Sequence, residues 1–206
     1  MFGKNLHVLG FVLCLIWAGS SCSHGPTPPK APKLYPAAMG EAALAEYDAN
    51  ADGVLDAKEL EKCPPLKLAL KRFDANGDGK ISADEIAARV RSWMNSGTTI
   101  VTGGTHVMLD GKALAGATVT FEPEKFLGPA FKTCTGKTDE FGNASVSGQD
   151  AQFPGLYLGL YRVKISKVVD GKETLPAKYN TATVLAHEAA TDIAGVGAID
   201  FKLKSQ

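Results

Sequence analysis

Residues 48–59 read DANADGVLDAKE, and residues 74–85 read DANGDGKISADE. Both stretches satisfy the pattern D-x-[DN]-x-[DN]-G-x₅-E at every specified position. Acidic or amide side chains at alternate positions bring several oxygen atoms around one point, and the glycine permits a sharp turn between them. Each stretch therefore predicts a loop that binds a hard cation and is flanked by helices.

The ligand set of each loop follows from the needs of calcium, which takes about six to eight oxygen ligands. The first predicted set comprises Asp48, Asn50, Asp52, the carbonyl of Val54, Asp56 (directly or through water) and a bidentate Glu59. The second comprises Asp74, Asn76, Asp78, the carbonyl of Lys80, Ser82 (through water) and a bidentate Glu85. The two consecutive matches resemble the EF-hand family, and this resemblance implies two Ca²⁺ sites.

The segments around the loops carry apolar residues at helical spacing. They are Met39, Ala42, Ala43 and Tyr47 before the first loop, Leu66, Leu70 and Phe73 before the second, and Ile86, Val90 and Trp93 after it. Pro64 and Pro65 indicate the start of a new helix between the loops. Leu55 and Ile81 occupy the eighth position, where paired EF-hands form a short two-strand contact. We therefore predict an EF-hand pair over residues 38–95. Dockerins also duplicate calcium loops, but here an apolar helical pattern precedes each loop and Glu closes both.

The first 22 residues predict an export signal. Lys4 precedes an apolar run over residues 6–17, and small residues then lead to Cys22. Small residues before a cysteine resemble a bacterial lipobox, which implies acylation of Cys22, although Gly19 stands where an aliphatic residue is usual. Cleavage with free secretion and an uncleaved membrane anchor are the alternatives. Residues 23–37 are rich in proline and predict a semi-rigid tether.

Beyond residue 95 the pattern changes to short β-branched runs divided by turn residues. Candidate strands cover residues 98–109, 117–122, 132–138, 144–147, 158–169, 181–185 and 198–203. Turns at Asp110-Gly111, residues 139–142 and Asp170-Gly171 separate several of them. The spacing predicts an antiparallel β-sandwich, and hence a multidomain α + β chain.

This part also resembles a known family. LDGK at residues 109–112, LAGATVTF at 114–121, TDEFGNA at 138–144 and LYRVKI at 160–165 are similar to carboxypeptidase regulatory-like (transthyretin-like) domains. The resemblance implies a seven-stranded sandwich over residues 98–206. It also implies a role in stability, display or contact rather than catalysis.

The remaining residues argue against catalysis and nucleic-acid binding. His187-Glu188 begins like the zinc motif H-E-x-x-H, but Thr191 replaces its second histidine. The net charge is zero, so the chain has no excess of positive charge that would indicate binding to a polyanion such as nucleic acid. Cys63 and Cys134 could pair or remain buried thiols, and their spacing leaves the choice open.

Together these patterns predict an exported, lipid-anchored protein of the bacterial cell envelope, otherwise secreted or periplasmic. Calcium would stabilise a structural or binding module without catalytic activity. The expected partners are calcium, the membrane, and an envelope protein or polysaccharide. The alternative is a calcium-dependent regulator or adhesion element that exposes a partner surface.

Overall fold

A computed structural model describes residues 30–101, 104–148, 154–193 and 198–206. The predicted export signal, Cys22 and the tether up to residue 29 lie outside these ranges. The helical part consists of α1 (Pro36–Tyr47), β1 (Val54–Leu55), α2 (Ala57–Leu60), α3 (Pro64–Phe73), β2 (Ile81–Ser82) and α4 (Ala83–Asn95). Within the ranges described, none of the helices has the length and apolar character needed to cross a bilayer.

Local signals explain how the two loops fold. Pro64 begins α3, where its fixed backbone angle suits the first turn. Asp56 and Ser82 start α2 and α4 with capping boxes that use the loop-closing glutamates. The strands β1 and β2 pair antiparallel, with Leu55 opposite Ile81, as the apolar eighth position predicts.

The helix α1 lies very close to the start of α4. A Cβ atom added at Gly40 would come within 2.3 Å of the Ala83 carbonyl oxygen. Glycine therefore permits the backbones of the two helices to approach at this point. This contact joins the helix that enters the first loop to the helix that leaves the second.

The second half of the chain is built from strands. They are β3 (Ile100–Val101), β4 (Gly104–Leu109), β5 (Lys112–Ala113), β6 (Thr118–Pro123), β7 (Cys134–Lys137), β8 (Asn143–Ser145), β9 (Ser147–Gly148), β10 (Leu156–Tyr157), β11 (Gly159–Ser166), β12 (Val168–Val169), β13 (Lys172–Glu173), β14 (Ala186–Ala189) and β15 (Ala198–Leu203). Short 3₁₀ turns lie at Lys125–Leu127 and Ala177–Tyr179. The fold is thus mixed α + β, with helices first and strands after them.

Two larger sheets organise these strands. One has the order β14-β11-β6-β7-β9, and the other has the order β15-β4-β5, with β8 also paired to β4. Among the strands described, pairing is antiparallel except that β15 runs parallel to β4. The prediction of a wholly antiparallel arrangement is wrong at this pair. Only a tight hairpin forces antiparallel pairing, whereas β15 is reached by a connection that passes from one sheet to the other.

One predicted strand lies in the wrong place. The structure has β14 at Ala186–Ala189, after the expected residues 181–185. The backbone of Thr181 donates to the side chain of Asn180 at 2.7 Å. The Thr183 hydroxyl accepts from the amide of Leu185 at 3.1 Å. Side chains therefore satisfy backbone groups that a sheet would otherwise pair. Interruptions at Val146 and Lys167 also divide two of the seven predicted strands, so that the described residues contain more and shorter strands.

One apolar cluster extends across the predicted boundary between helices and strands. It joins helical residues such as Phe73 and Trp93 to residues of the strand region, including Phe126, Leu127 and Leu160. We call it the cross-boundary cluster. The division into domains at residues 38–95 and 98–206 stays a prediction, and the apolar core is continuous across that division.

A second cluster, the sheet cluster, draws on both larger sheets. Val107 and Phe201 come from β4 and β15, and Phe121 and Val163 come from β6 and β11. The two remaining cysteines are divided between the clusters. Cys63 lies in the cross-boundary cluster and Cys134 in the sheet cluster, and both are buried free thiols. The open question of their pairing is thus answered in favour of separate thiols.

Candidate metal centres

The first loop winds around the side chains at its first and third positions. The carboxylate of Asp48 accepts hydrogen bonds from the amides of Asp52 (3.2 Å) and Gly53 (2.9 Å). The Asn50 side-chain oxygen also accepts from Asp52, at 2.8 Å. Gly53 has φ +86°, a left-handed conformation that side chains disfavour. The turn expected at the sixth position is therefore present.

Three carboxylates of the first loop converge. Oxygen atoms of Asp48, Asp52 and Glu59 all lie within 4.8 Å of one another. Glu59 is only 5 % exposed, and it accepts from the amide of Ala49 at 2.8 Å and from that of Asp56 at 3.0 Å. Like charges at this separation repel one another. A bound cation would convert that repulsion into attraction.

The second loop repeats the same bonding. The Asp74 carboxylate accepts from the amides of Asp78 (3.1 Å) and Gly79 (2.9 Å). Glu85 accepts from the amide of Ala75 at 3.0 Å, as Glu59 does from Ala49. Among the described residues, Asp48, Asp52 and Glu59 are the one group of three acidic, cysteine or histidine side chains whose ligand atoms lie within 4.8 Å of one another, so the carboxylates of the second loop are more widely spaced. The two loops thus share their bonding pattern and differ in how closely their carboxylates are grouped.

The other predicted ligands lie within the loops in supporting positions. The Asp56 carboxylate accepts from the amides of Lys58 (2.8 Å) and Glu59 (3.0 Å), and these bonds, chiefly that from Glu59, lower its pKa. The Ser82 hydroxyl donates to Glu85 at 2.9 Å. Amides at the seventh position donate to the fifth, Val54 to Asp52 at 3.1 Å and Lys80 to Asp78 at 2.8 Å. The hydrogen bonds of each loop thus connect most of its predicted ligands.

The donor chemistry of both loops fits calcium. Asp48, Asp52, Asp56 and Glu59 offer carboxylate oxygens in the first loop, and Asp74, Asp78 and Glu85 do so in the second. Amide oxygens of Asn50 and Asn76 and the hydroxyl of Ser82 complete the side-chain donors. Hard oxygen ligands of this kind are those that calcium prefers.

A polar contact ties the first loop to the strand region. The hydroxyl of Tyr47, the residue before Asp48, donates to Glu124 at 2.6 Å. The other oxygen of Glu124 lies 2.9 Å from Arg162 Nε in an ion pair. Desolvation raises the pKa of the Glu124 carboxyl, while the Tyr47 hydroxyl and the Arg162 charge act in the opposite direction. No local sequence pattern indicates this contact, because Tyr47 and Glu124 are 77 residues apart in the chain.

A second buried glutamate ties the helices of the second loop to β14. Glu188 has a fully buried side chain that accepts from Arg72 at 2.5 Å and from Arg89 at 2.6 Å. Trp93 donates to the same carboxylate at 3.3 Å, and Arg89 also pairs with Asp192 at 2.6 Å. In the sequence, Glu188 stands out only as part of an incomplete H-E-x-x-H zinc motif. No local pattern signals this ion pair, because Arg72 and Arg89 lie 116 and 99 residues from Glu188 in the chain.

His187, the other residue of that motif, lies against the ring of Phe121 at a centroid distance of 5.9 Å. Burial, aided by the charge of Arg72, lowers the pKa of His187 to about 4. The unfolded chain then binds this proton more readily than the folded chain between about pH 6.5 and 4. The contribution of the buried, uncharged His187 side chain to the free energy of unfolding is therefore complete above about pH 6.5 and is lost as the pH falls towards 4.

We therefore expect His187→Gln to flatten the pH dependence of stability. Acidification from pH 7 to 5 should lower the free energy of unfolding of the wild type by about 2 kcal/mol more than that of the variant. Urea titrations at both pH values, with calcium present, measure the difference. His106→Gln is the control, since this histidine is half-buried beside Asp200. Parallel pH profiles for wild type and His187→Gln would contradict the expectation.

Comparison with known protein families supports the EF-hand interpretation of the helical part. A family model described as EF hand matches residues 41–64 and again residues 66–90. Searches of curated proteins and of solved structures give no match. The two matched segments are the loops with their flanking helices. The helical part is therefore an EF-hand pair, and calcium binding is the activity that this pair indicates.

Proposed function

We propose that the EF-hand pair holds two calcium ions and that these ions stabilise the fold. The observation that carries the proposal is the convergence of Asp48, Asp52 and Glu59 within 4.8 Å. Calcium at this point would neutralise clustered carboxylates and order the loop. The free energy of metal binding then contributes to the free energy of folding.

The packing of the helices favours this structural role over a regulatory one. A calcium sensor opens to expose an apolar groove for a partner. Here the apolar helical residues already contact Phe126, Leu127, Phe131 and Leu160 in the cross-boundary cluster. We infer that the strand region covers the face that a partner would otherwise occupy. Dye binding with ANS separates the two roles, since greater fluorescence on calcium addition would support the regulator.

Calorimetry on the chain from residue 23 onward tests calcium binding directly. We expect two binding events at or below millimolar calcium, the range of extracellular modules being about 10⁻⁴–10⁻³ M. The absence of binding heat at millimolar calcium would refute the proposal. One event instead of two would restrict the proposal to one loop, and the first loop, whose carboxylates are the more closely grouped, would be the expected site.

Replacement of the bidentate ligand sharpens this test. Glu59→Gln should weaken the first site by about tenfold or more, or about 1.4 kcal/mol, because a charged ligand oxygen is lost. Glu85→Gln should do the same at the second site. Glu61→Gln is the matched control, because this neighbouring side chain is exposed and pairs with Lys67. Equal affinities for Glu59→Gln and Glu61→Gln would exclude Glu59 as a ligand.

We further propose that the protein is exported and anchored to the cell envelope through acylated Cys22. Support comes from the apolar run, the small residues before Cys22 and the proline-rich segment after it. Mass spectrometry of the mature N-terminus distinguishes an acylated cysteine from simple cleavage and from an intact signal. Cys22→Ser should release the protein from the membrane fraction.

For the strand region we propose a carboxypeptidase regulatory-like sandwich that provides stability or contact without catalysis. Its support is the sequence similarity of residues 109–121, 138–144 and 160–165. An envelope protein or polysaccharide is the expected partner. Capture experiments with defined envelope polysaccharides, with and without calcium, test this proposal. Turnover of any substrate that is lost in His187→Gln would contradict the non-catalytic assignment.

A further inference from the structure

Two buried glutamates of the strand region contact the two helices that enter the calcium loops. Tyr47 immediately precedes Asp48, and its hydroxyl donates to Glu124 at 2.6 Å. Arg72 lies two residues before Asp74, and its Nε donates to Glu188 at 2.5 Å. The last turn before each loop thus carries one polar tie to the strands.

Both ties converge on one residue of β11. The amide of Glu124 donates to the carbonyl of Leu160 at 3.0 Å. Glu188 is the register partner of Leu160 in the pairing of β14 with β11. Leu160 is itself fully buried in the cross-boundary cluster. A single strand therefore supports the entering helices of both loops.

These contacts depend on where the helices end. Glu124 and Glu188 are 3 % and 1 % exposed, so water cannot replace a lost partner. A buried carboxylate without its donors is costly, and this penalty opposes displacement of Tyr47 or Arg72. Each helix ends where its loop begins, because the amides of Asp48 and Asp74 close the last turns of α1 and α3. An ordered loop therefore favours the Tyr47–Glu124 and Arg72–Glu188 contacts, and these contacts in turn favour an ordered loop.

We propose that calcium binding is thermodynamically linked to docking of the EF-hand pair on β11, through Glu124 and Glu188. Calcium holds the loop entrances, and hence Tyr47 and Arg72, where the two glutamates accept their hydrogen bonds. Docking in turn raises the calcium affinity, because such linkage is reciprocal. The strand region thus acts as the built-in partner of the EF-hand pair. This inference rests on the calcium binding proposed above.

Calcium calorimetry on glutamine variants tests the linkage. We expect Glu124→Gln and Glu188→Gln to lower calcium affinity about fivefold or more, although neither residue is a ligand. Glu122→Gln is the matched control, because Glu122 lies on the same sheet, is 36 % exposed and pairs with Lys164 at 2.7 Å. Its affinity should equal that of the wild type. Wild-type affinity in both interface variants would overturn the linkage.

Hydrogen exchange on the wild type gives a second test that needs no variant. By reciprocity, calcium should increase protection of residues 122–127 and 186–189 as well as of the loops. Protection confined to residues 48–85, with calcium heat present, would overturn the linkage and leave calcium binding intact. Absence of calcium heat in the wild type would instead refute the calcium proposal itself.

Discussion

Replacement of Glu188 by alanine should lower the free energy of unfolding by about 3–5 kcal/mol, the range for breaking a buried ion pair. The substitution removes the carboxylate that Arg72 and Arg89 share. Arg89, only 7 % exposed, then keeps its exposed partner Asp192 but loses the buried one. The indole of Trp93 also loses its acceptor. Urea unfolding at pH 7 with saturating calcium measures the effect.

Glu122→Ala provides the control for this loss. It removes a glutamate of the same region whose ion pair with Lys164 is partly exposed. Exposed ion pairs contribute about 0–1 kcal/mol, so the control should stay within that range. Similar losses in the two variants would show that the Glu188 cluster is no more important than a surface pair. A loss above about 3 kcal/mol in Glu188→Ala alone supports the buried anchor.

Removal of calcium should produce the other large effect. A ligand at about 100 times its dissociation constant stabilises by about 2.7 kcal/mol per site, and two sites give about 5 kcal/mol. A chain of this length shifts its melting temperature by about 2–4 °C per kcal/mol. We therefore expect a chelator to lower the melting temperature by about 10–20 °C. Thermal melts followed by circular dichroism, at fixed protein concentration, measure the shift.

The double variant Glu59→Gln with Glu85→Gln is the control for chelation. It should melt at nearly the same temperature with calcium and with chelator, since both bidentate ligands are replaced. A large shift that persists in the double variant would place the stabilising ion elsewhere. Calcium heat without any shift in the wild type would mean that binding does not contribute to folding.

The calcium loops were predictable because their information is local. The first loop begins at Asp48 and closes at Glu59, and each ligand is fixed by its position in between. The antiparallel contact of Leu55 with Ile81 follows from the apolar eighth position of each loop. The helix start at Pro64 follows from a residue that favours the first turn.

The ties between helices and strands were not predictable in the same way. Tyr47 and Glu124 are separated by 77 residues, and Arg72 and Glu188 by 116. No periodicity relates positions so far apart, and a charged residue in a sequence carries no mark of burial. The direction of β15 has the same cause, because it depends on which sheet edge the chain reaches. Tertiary packing decides these features.

The two buried thiols have a practical consequence. Burial raises the pKa of Cys63 and of Cys134, so little reactive thiolate exists at neutral pH. Disulfide exchange and alkylation therefore require the surrounding core to open. Cys63 lies in the cross-boundary cluster and Cys134 in the sheet cluster. The labelling rate of each thiol therefore reports how often the core around it opens. Labelling kinetics at the two positions would show whether helices and sheets open together or in sequence.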